Sequence, residues 1–456
     1  MRHTRQLLVM IYALCLALVM QAQTPVVTPV TSTEGYDFVT AFLPNGSSII
    51  DAADLKLQLL VSSRVENVVT VQYADGSYAP DVSVSAGSSE VIEIDAKKTY
   101  WDITNDESET KLNKGVHIYS KNGAKMTVYA VNQIGTDKST FSTDGAHVLP
   151  KQALGHEYIV SCNSADVLAS EFVVMSSTAG TTAKITLPEG MKTSKGNSEL
   201  SVTFDKPYQI YIVRSQPADP KDPTVSMDLS GTTICADHPV AVWSGNQAAR
   251  FTTDQPNAAA DHAFDQLLPI DRWGTQFIVP MTGLNTRLNK LDIVARDAGT
   301  NVRIITSKNP NTPETKVLGS TEKWSKLIDA YHGQESNFNT LQDSVYIVTA
   351  DKPIEVHLYT SSSVYNVDRS FKYQGDPSMT MISPVEYLTD TAVFSTFHNP
   401  QKDAQQMQYE LVVWAKKTTV SKLKLNGIGV NTSLFKNLPG SVFSGYQYAR
   451  IPIEEI

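Results

Sequence analysis

The sequence predicts an all-β chain built from tandem β-sandwich-like domains of about 115–120 residues, the last of them incomplete. Three observations carry this. Ala236-Asp237-His238-Pro239-Val240-Ala241-Val242 returns 114 residues later as Ala350-Asp351-Lys352-Pro353-Ile354-Glu355-Val356. A joint, Leu268-Pro269 followed by Trp273-Gly274 and Phe277-Ile278-Val279, has counterparts at Leu149-Pro150, Leu154-Gly155, Tyr158-Ile159-Val160 and at Ser383-Pro384, Leu388-Thr389. Between these marks apolar residues alternate at period two, and no long stretch carries a helical period. A β-propeller is the alternative, but its blades repeat at about 40–50 residues.

Each Asp-x-Pro is expected to turn one strand back on the next, because proline fixes φ and gives no ladder hydrogen bond. In the first unit the strands are read at Asp37-Phe38-Val39, at Leu55, Leu57, Leu59 and Val61, and at Val69, Val71 and Tyr73. The second unit repeats them at Phe172 and Val174 and at Ala183, Ile185 and Leu187, around Ala179-Gly180-Thr181. The third has Leu291 and Ile293, then Val302 and Ile304, around Ala298-Gly299-Thr300. About seven short strands per unit bury their alternating faces when two sheets pack together. The units are set at 35–150, 151–269 and 270–384. A partial fourth unit, 385–456, opens with a strand at Thr389–Phe394 and lacks the Asp-x-Pro element, so the chain is expected to end mid-domain.

Ahead of the units, Arg2 and Arg5 precede the apolar run Leu7–Met20, and Gln21-Ala22-Gln23 follows. That is the pattern of a cleaved secretory signal over 1–23, too short to span a bilayer. A Pro/Thr-rich linker over 24–34 follows. Without the two signal arginines, 36 Lys and Arg stand against 47 Asp and Glu, and so acidic a chain is a poor ligand for nucleic acid. No later segment is apolar for long enough to cross a membrane. The mature protein is expected to be secreted or held at a cell surface. It keeps Cys162 and Cys235, either as one disulfide or as two separate thiols.

Catalytic spacing is missing. His156-Glu157 lacks the second histidine of a zinc-protease helix, and there is no Gly-x-Ser-x-Gly elbow or paired Cys-x-x-Cys. The acidic stretch Asp102, Asp106, Glu107, Glu109 lacks the spacing of a calcium loop and is read as solvated. No cofactor or metal is called for. Trp243, Trp324 and Trp414 are assigned to packing and Trp273 to a contact between neighbouring units. What varies between units is the segments 132–146, 246–263 and 361–380, and loops on a rigid sandwich are where recognition sits. Arg250, Arg369 and Tyr373 are the candidate contacts.

The opening Asp37-Phe38-Val39 with Ala41–Asn45, the element Ala236–Asn246, and Asp261–Pro269 running into Trp273–Pro280 resemble the amino-terminal region of the IgG Fc-binding protein family. The resemblance covers about 35–455. It implies a non-enzymatic, mucus-associated binding role with immunoglobulin or mucin-like glycoprotein as ligand, on a bacterial secreted or surface homologue lacking the cysteine-rich modules. The leading expectation is thus an exported binding or adhesion protein. An extracellular polysaccharide hydrolase and a passive surface spacer are the alternatives.

Overall fold

The computed structural model describes residues 33–45, 55–100, 108–136, 139–163, 168–216, 228–251, 260–280, 289–307, 309–328, 345–360, 364–365, 371–373, 377–396 and 409–453. The signal segment, nearly all of the linker, Asp102, Asp106, Glu107, Arg369 and the side chain of Tyr373 lie outside them.

The first repeat carries β1 (Asp37–Thr40), β2 (Leu55–Ser63), β3 (Asn67–Tyr73), β4 (Val82–Val84), β5 (Ser88–Ile94), β6 (Thr110–Leu112), β7 (Val116–Ser120), β8 (Met126–Thr136) and β9 (Ser139–Val148). Two four-stranded antiparallel sheets form, in the orders β1-β7-β3-β4 and β5-β2-β8-β9. Alternation decides which side chains turn inward. Phe38, Val69, Val71 and Ile118 from one sheet meet Leu57, Leu59, Val61 and Val128 from the other in a single core. This is a β-sandwich, and its sheets are not propeller blades.

The second repeat runs through β10 (Gly155–Ile159), β11 (Ser170–Ser176), β12 (Thr182–Thr186), β13 (Glu199–Thr203), β14 (Gln209–Arg214), β15 (Thr233–Ala249) and β16 (Asp261–Gln266). The third runs through β17 (Gly274–Pro280), β18 (Asn289–Ala295), β19 (Thr300–Thr306), β20 (Glu314–Leu318), β21 (Lys323–Ile328), β22 (Val345–Tyr359), β23 (Val364–Tyr365), β24 (Phe371–Tyr373) and β25 (Met379–Met381). Here the expected Asp-x-Pro hairpin gives way to one long strand. The first part of β15 pairs with β12 up to Ala236 and with β10, whose Gly155 also reaches Val240 past a bulge, and the second pairs with β11 and β16 from Val240 onward. β22 does the same with β17 and β19, then with β18 and β25. The strand passes from one sheet to the other across Asp237–Pro239 and Asp351–Pro353.

A proline is tolerated there because the ladder changes partners at that point, so its missing N–H costs no hydrogen bond. The aspartate is explained by an unpaired donor next door: Asp237 Oδ1 accepts from the Thr182 amide and Asp351 Oδ1 from the Asn301 amide, each at 2.8 Å. In the first repeat the same crossing is made by two strands, β7 and β8, and Asn122 Oδ1 accepts from the Val68 amide at 3.2 Å. With β15 and β22 divided at the crossing, all three repeats have one strand order, sandwich for sandwich.

The joints also match. Pro150, Pro269 and Pro384 each precede a single 3₁₀ turn, Lys151–Ala153, Ile270–Arg272 and Val385–Tyr387, with φ of −66°, −64° and −59°. Trp273 is buried between Ile159 of the second repeat and Val294 of the third, and its Nε1–H donates to Leu268 O at 3.2 Å. Trp243 is fully buried and Trp324 nearly so, both within cores.

The fourth region holds β26 (Tyr409–Lys416), β27 (Lys424–Leu425), β28 (Ile428–Gly429), β29 (Lys436–Asn437) and β30 (Tyr446–Ile453). The order β26-β30-β29 makes a small sheet, and Leu438, Phe443 and Tyr448 cover Ile278, Ile305, Val345 and Ile347 on the outer face of the third sandwich. The strand expected at Thr389–Phe394 is absent, and those residues have irregular backbone. Among the described residues no corner strand lies beside them to take ladder hydrogen bonds.

Cys162 and Cys235, which a bridge would join, are free thiols. Cys162 is buried, with its Sγ 3.6 Å from Glu171 O, and burial pushes its pKa up to about 12. Cys235 is exposed, on the first part of β15.

Candidate functional site

Strands β9, β16 and β25 are the last of their sandwiches, and they meet. Ser142 Oγ donates to Asp261 Oδ1, the Phe264 amide donates to Asp144 Oδ2 at 3.0 Å, and the Leu149 amide donates to Gln266 Oε1 at 2.7 Å. Both chains therefore advance in the same direction along the contact. The third strand joins in the same sense: the Met379 amide donates to Asp144 Oδ2 at 3.4 Å and the Met381 amide to Asp265 Oδ2 at 2.6 Å. The residues that lead into them, Thr136 and Ser139, Arg250 and Ala260, Thr360 and Pro377, thus gather at one end of the three sandwiches. The segments that differ most between repeats start from that end.

Polar groups hold the junction. The Nδ1–H of His262 donates to Asn246 O at 3.1 Å, which leaves Nε2 to accept from Asn132 Nδ2 at 3.3 Å. Asn132 Nδ2 also donates to Leu43 O at 2.7 Å, and Asn45 Nδ2 to Asn132 Oδ1 at 3.2 Å. Burial lowers the pKa of His262 to about 3, so its imidazole is neutral in this network. Burial raises the pKa of Asp144 well above the carboxylate range, against the backbone N–H groups it accepts from, and brings Asp265 up to about 6. Glu355 and His357, 3.2 Å apart and buried, complete the cluster, and Glu355 Oε1 accepts from the Leu268 amide at 3.3 Å. These groups join strands. Asp144 and Asp265 escape a comparison of the repeats, because Asp144 stands where the second repeat has Ala263 and Asp265 where the first has Ala146.

Of the sequence candidates, Arg250 is half-buried directly after β15, beside the buried Phe251. Arg369 and the Tyr373 side chain lie outside the described residues; the backbone of Tyr373 ends β24, paired with Val364 of β23. The first of the three variable segments is a correction: 132–146 is largely a ladder, in which β8 and β9 pair from Val128↔Val148 to Thr136↔Ser139. Glu109, grouped with the acidic stretch, accepts hydrogen bonds from Thr193 Oγ1 and from Asn197 Nδ2, the latter at 2.6 Å. It thereby ties the start of β6, which pairs with the edge strand β14 of the second sandwich, to the connection between β12 and β13.

A second patch was not read from sequence. His117 is stacked between Tyr119 and Tyr208, with ring centroids 4.9 and 4.6 Å away, and its Nε2 lies 2.8 Å from Asp37 Oδ1. Tyr208 holds a left-handed backbone, φ +63°, rare for an aromatic residue. No residue-level pattern in the sequence announces a left-handed tyrosine.

The model of the IgGFc binding protein family matches residues 144–455, about two thirds of the chain. The chain belongs to the IgGFc-binding protein family. Human IgGFc-binding protein is 25% identical to it over 423 residues, 91% of this chain and 7% of the human protein. The chain therefore spans a small part of that relative's length. No solved structure matches it. Family membership goes with the repeated framework described above, since 144–455 covers the second and third sandwiches and the region after them.

Proposed function

We propose that this chain is an extracellular binding protein that takes a protein or glycoprotein ligand at the end of the sandwiches where β9, β16 and β25 begin. The observation that carries the reading is the shared direction of those three strands, which brings variable connections together on an otherwise repeated scaffold. The relative's name makes immunoglobulin Fc the first ligand to try, with mucus glycoprotein second. Arg2, Arg5 and the apolar run that follows support export. The same reading divides the chain after Pro150, Pro269 and Pro384, with no catalytic step assigned.

Binding of the chain from residue 24 onward to immobilised Fc and to purified mucus glycoprotein tests this. Replacing 252–259 and 361–376 with short Gly-Ser connections is expected to abolish capture while leaving the unfolding midpoint in place. Capture that survives both replacements would place the ligand elsewhere, and no capture of either class would sink the reading.

A further inference from the structure

Where the second and third sandwiches touch, a lysine is shut away from water against a primary amide. Lys290 of β18 is 9% exposed, and its Nζ donates to Asn163 Oδ1 and lies 3.0 Å from Asp292 Oδ2. Aromatic rings close the enclosure, with Nζ 4.3 Å from the Tyr359 centroid and 5.9 Å from that of Phe251. Asn163 is 7% exposed, and its main-chain oxygen accepts from Asn246 Nδ2 at 2.9 Å, which fixes the backbone that carries the amide. Asp292 is fully buried.

A second lysine changes what Asp292 can do. Lys323 Nζ pairs with Asp228 and stands 3.3 Å from Asp292 Oδ2, and it donates to Cys162 O at 3.0 Å. Burial works against its charge, but Asp292 and Asp228 outweigh this and hold it protonated. For Lys290 the balance goes the other way: burial is the larger influence, Lys323 opposes its charge too, and the pKa falls despite Asp292. The site thus holds an amine whose charge burial opposes, a carboxylate 3.0 Å away that, against burial, Lys323 and Lys290 keep in its ionised, proton-accepting form, and an amide whose carbonyl carbon is one bond from the oxygen the amine already touches. Ion pairing alone accounts for the two lysines and two aspartates. The Asn163 amide accepts from Lys290 Nζ, and its carbonyl carbon is an electrophile within reach of that amine.

We propose that Lys290 and Asn163 become joined by an amide bond between their side chains. Asp292 takes a proton from the Lys290 ammonium, and Nζ attacks Cγ of Asn163, forming the new C–N bond. Asp292 passes that proton to the asparagine nitrogen as its C–N bond breaks, releasing ammonia, and the carboxylate then takes the second proton that Nζ loses in becoming an amide N–H. Amine and primary amide are converted to a secondary amide and ammonia, with no change of oxidation state and no co-reactant. The product ties the end of the opening strand of the second sandwich to β18 of the third, across 127 positions of sequence.

The intact mass of the unmodified full chain, measured after denaturation, decides the matter without relying on any variant to fold. The expected result is a mass lower by one ammonia than the sequence requires, and a branched proteolytic peptide containing both Lys290 and Asn163. Lys290→Arg and Asp292→Ala are each expected to restore the full mass. A folded wild-type chain with the unaltered mass would overturn the proposal. So would an ammonia loss that maps elsewhere, as from cyclisation of an amino-terminal glutamine, or one that persists in Lys290→Arg.

Discussion

Gly155, which opens the second sandwich, lies against Pro269, which closes it: a Cβ on Gly155 would stand 2.3 Å from the proline Cβ. The same contact is made by Gly274 and Pro384 at 2.3 Å and by Gly35 and Pro150 at 2.5 Å. Each repeat is thus shut by a glycine and a proline that leave no room for a methyl group. Gly155→Ala and Gly274→Ala are each expected to cost about 1–3 kcal/mol, the range for overpacking a rigid contact. Gly429→Ala, where nothing stands within 4 Å, is the control and should change little. Urea unfolding of the three variants checks this.

These closures were legible because glycine and proline recur at a fixed offset, and each has a backbone property that survives divergence. The corner strand was misread for the same reason. Asp-x-Pro marks an interruption of pairing, and sequence cannot distinguish a chain that turns back from one that continues into another sheet. The opening of the fourth region failed because alternation at Thr389–Phe394 describes a strand only when a neighbour supplies the other half of the ladder. The junction of β9, β16 and β25 and the enclosure around Lys290 were invisible. Asp144 and Asp265, like Asn163 and Lys290, lie more than a hundred residues apart in sequence and occupy positions that the repeats do not share.

Asp144 accepts from amides of two other sandwiches, so removing it should strand both donors. Asp144→Ala is expected to destabilise by about 2–4 kcal/mol, since each buried N–H left without an acceptor costs about 1–3 kcal/mol. Asp144→Asn, which keeps one acceptor oxygen and the volume, should lose less than half as much. Chemical denaturation monitored by tryptophan fluorescence separates the two, and equal losses would contradict the role assigned to the carboxylate.

Stability should fall as pH rises from about 6.5 to about 8, where the effect of the buried Glu171 carboxyl is opposed least. Burial raises the pKa of this carboxyl from 4.5 to about 8, although Arg214 Nε stands 3.3 Å away. A folded-state pKa above the unfolded value gives stability that is complete below about 4.5 and lost as pH climbs through 8, at no more than about 1.4 kcal/mol per pH unit. Asp144 and Asp265 act in the same direction. His262 and His147, lowered by burial to about 3 and about 4, act oppositely, but their contribution is complete once pH passes 6.5. Glu171→Gln should flatten the slope between pH 6.5 and 8 in a series of urea titrations, with little effect near pH 4.

Strand β6 belongs by sequence to the first repeat and by hydrogen bonding to the second, where Thr110, Lys111 and Leu112 face Ile212, Tyr211 and Ile210. Glu109 holds its start in a left-handed backbone, φ +58°, through Thr193 and Asn197. Glu109→Ala removes both contacts and keeps a residue strained at that φ. It is expected to release β6 and make the chain cleavable near 108–113 by a protease that leaves the wild type intact. Glu109→Gly, which relieves the strain but not the lost contacts, should be cut more slowly than Glu109→Ala. If both variants resisted cleavage as the wild type does, the clamp would have no energetic weight.

Trp273 is one place where the second and third sandwiches share apolar surface, and leucine fills the matching place in the first joint at Leu154. Trp273→Ala takes a nearly buried indole away from Ile159 and Val294 and leaves Leu268 O without its donor. Loss of so large a buried ring costs about 3–5 kcal/mol. Trp273→Leu restores part of the packing with the residue that the first joint already uses, and should recover more than half of that. Because Trp273 lies between sandwiches rather than within one, the loss is expected to split unfolding, so that fluorescence and circular dichroism no longer give coincident midpoints. A single coincident transition at lowered stability would show that the sandwiches remain coupled through their other contacts, the junction of β9, β16 and β25 and the ion pairs of Lys290 and Lys323.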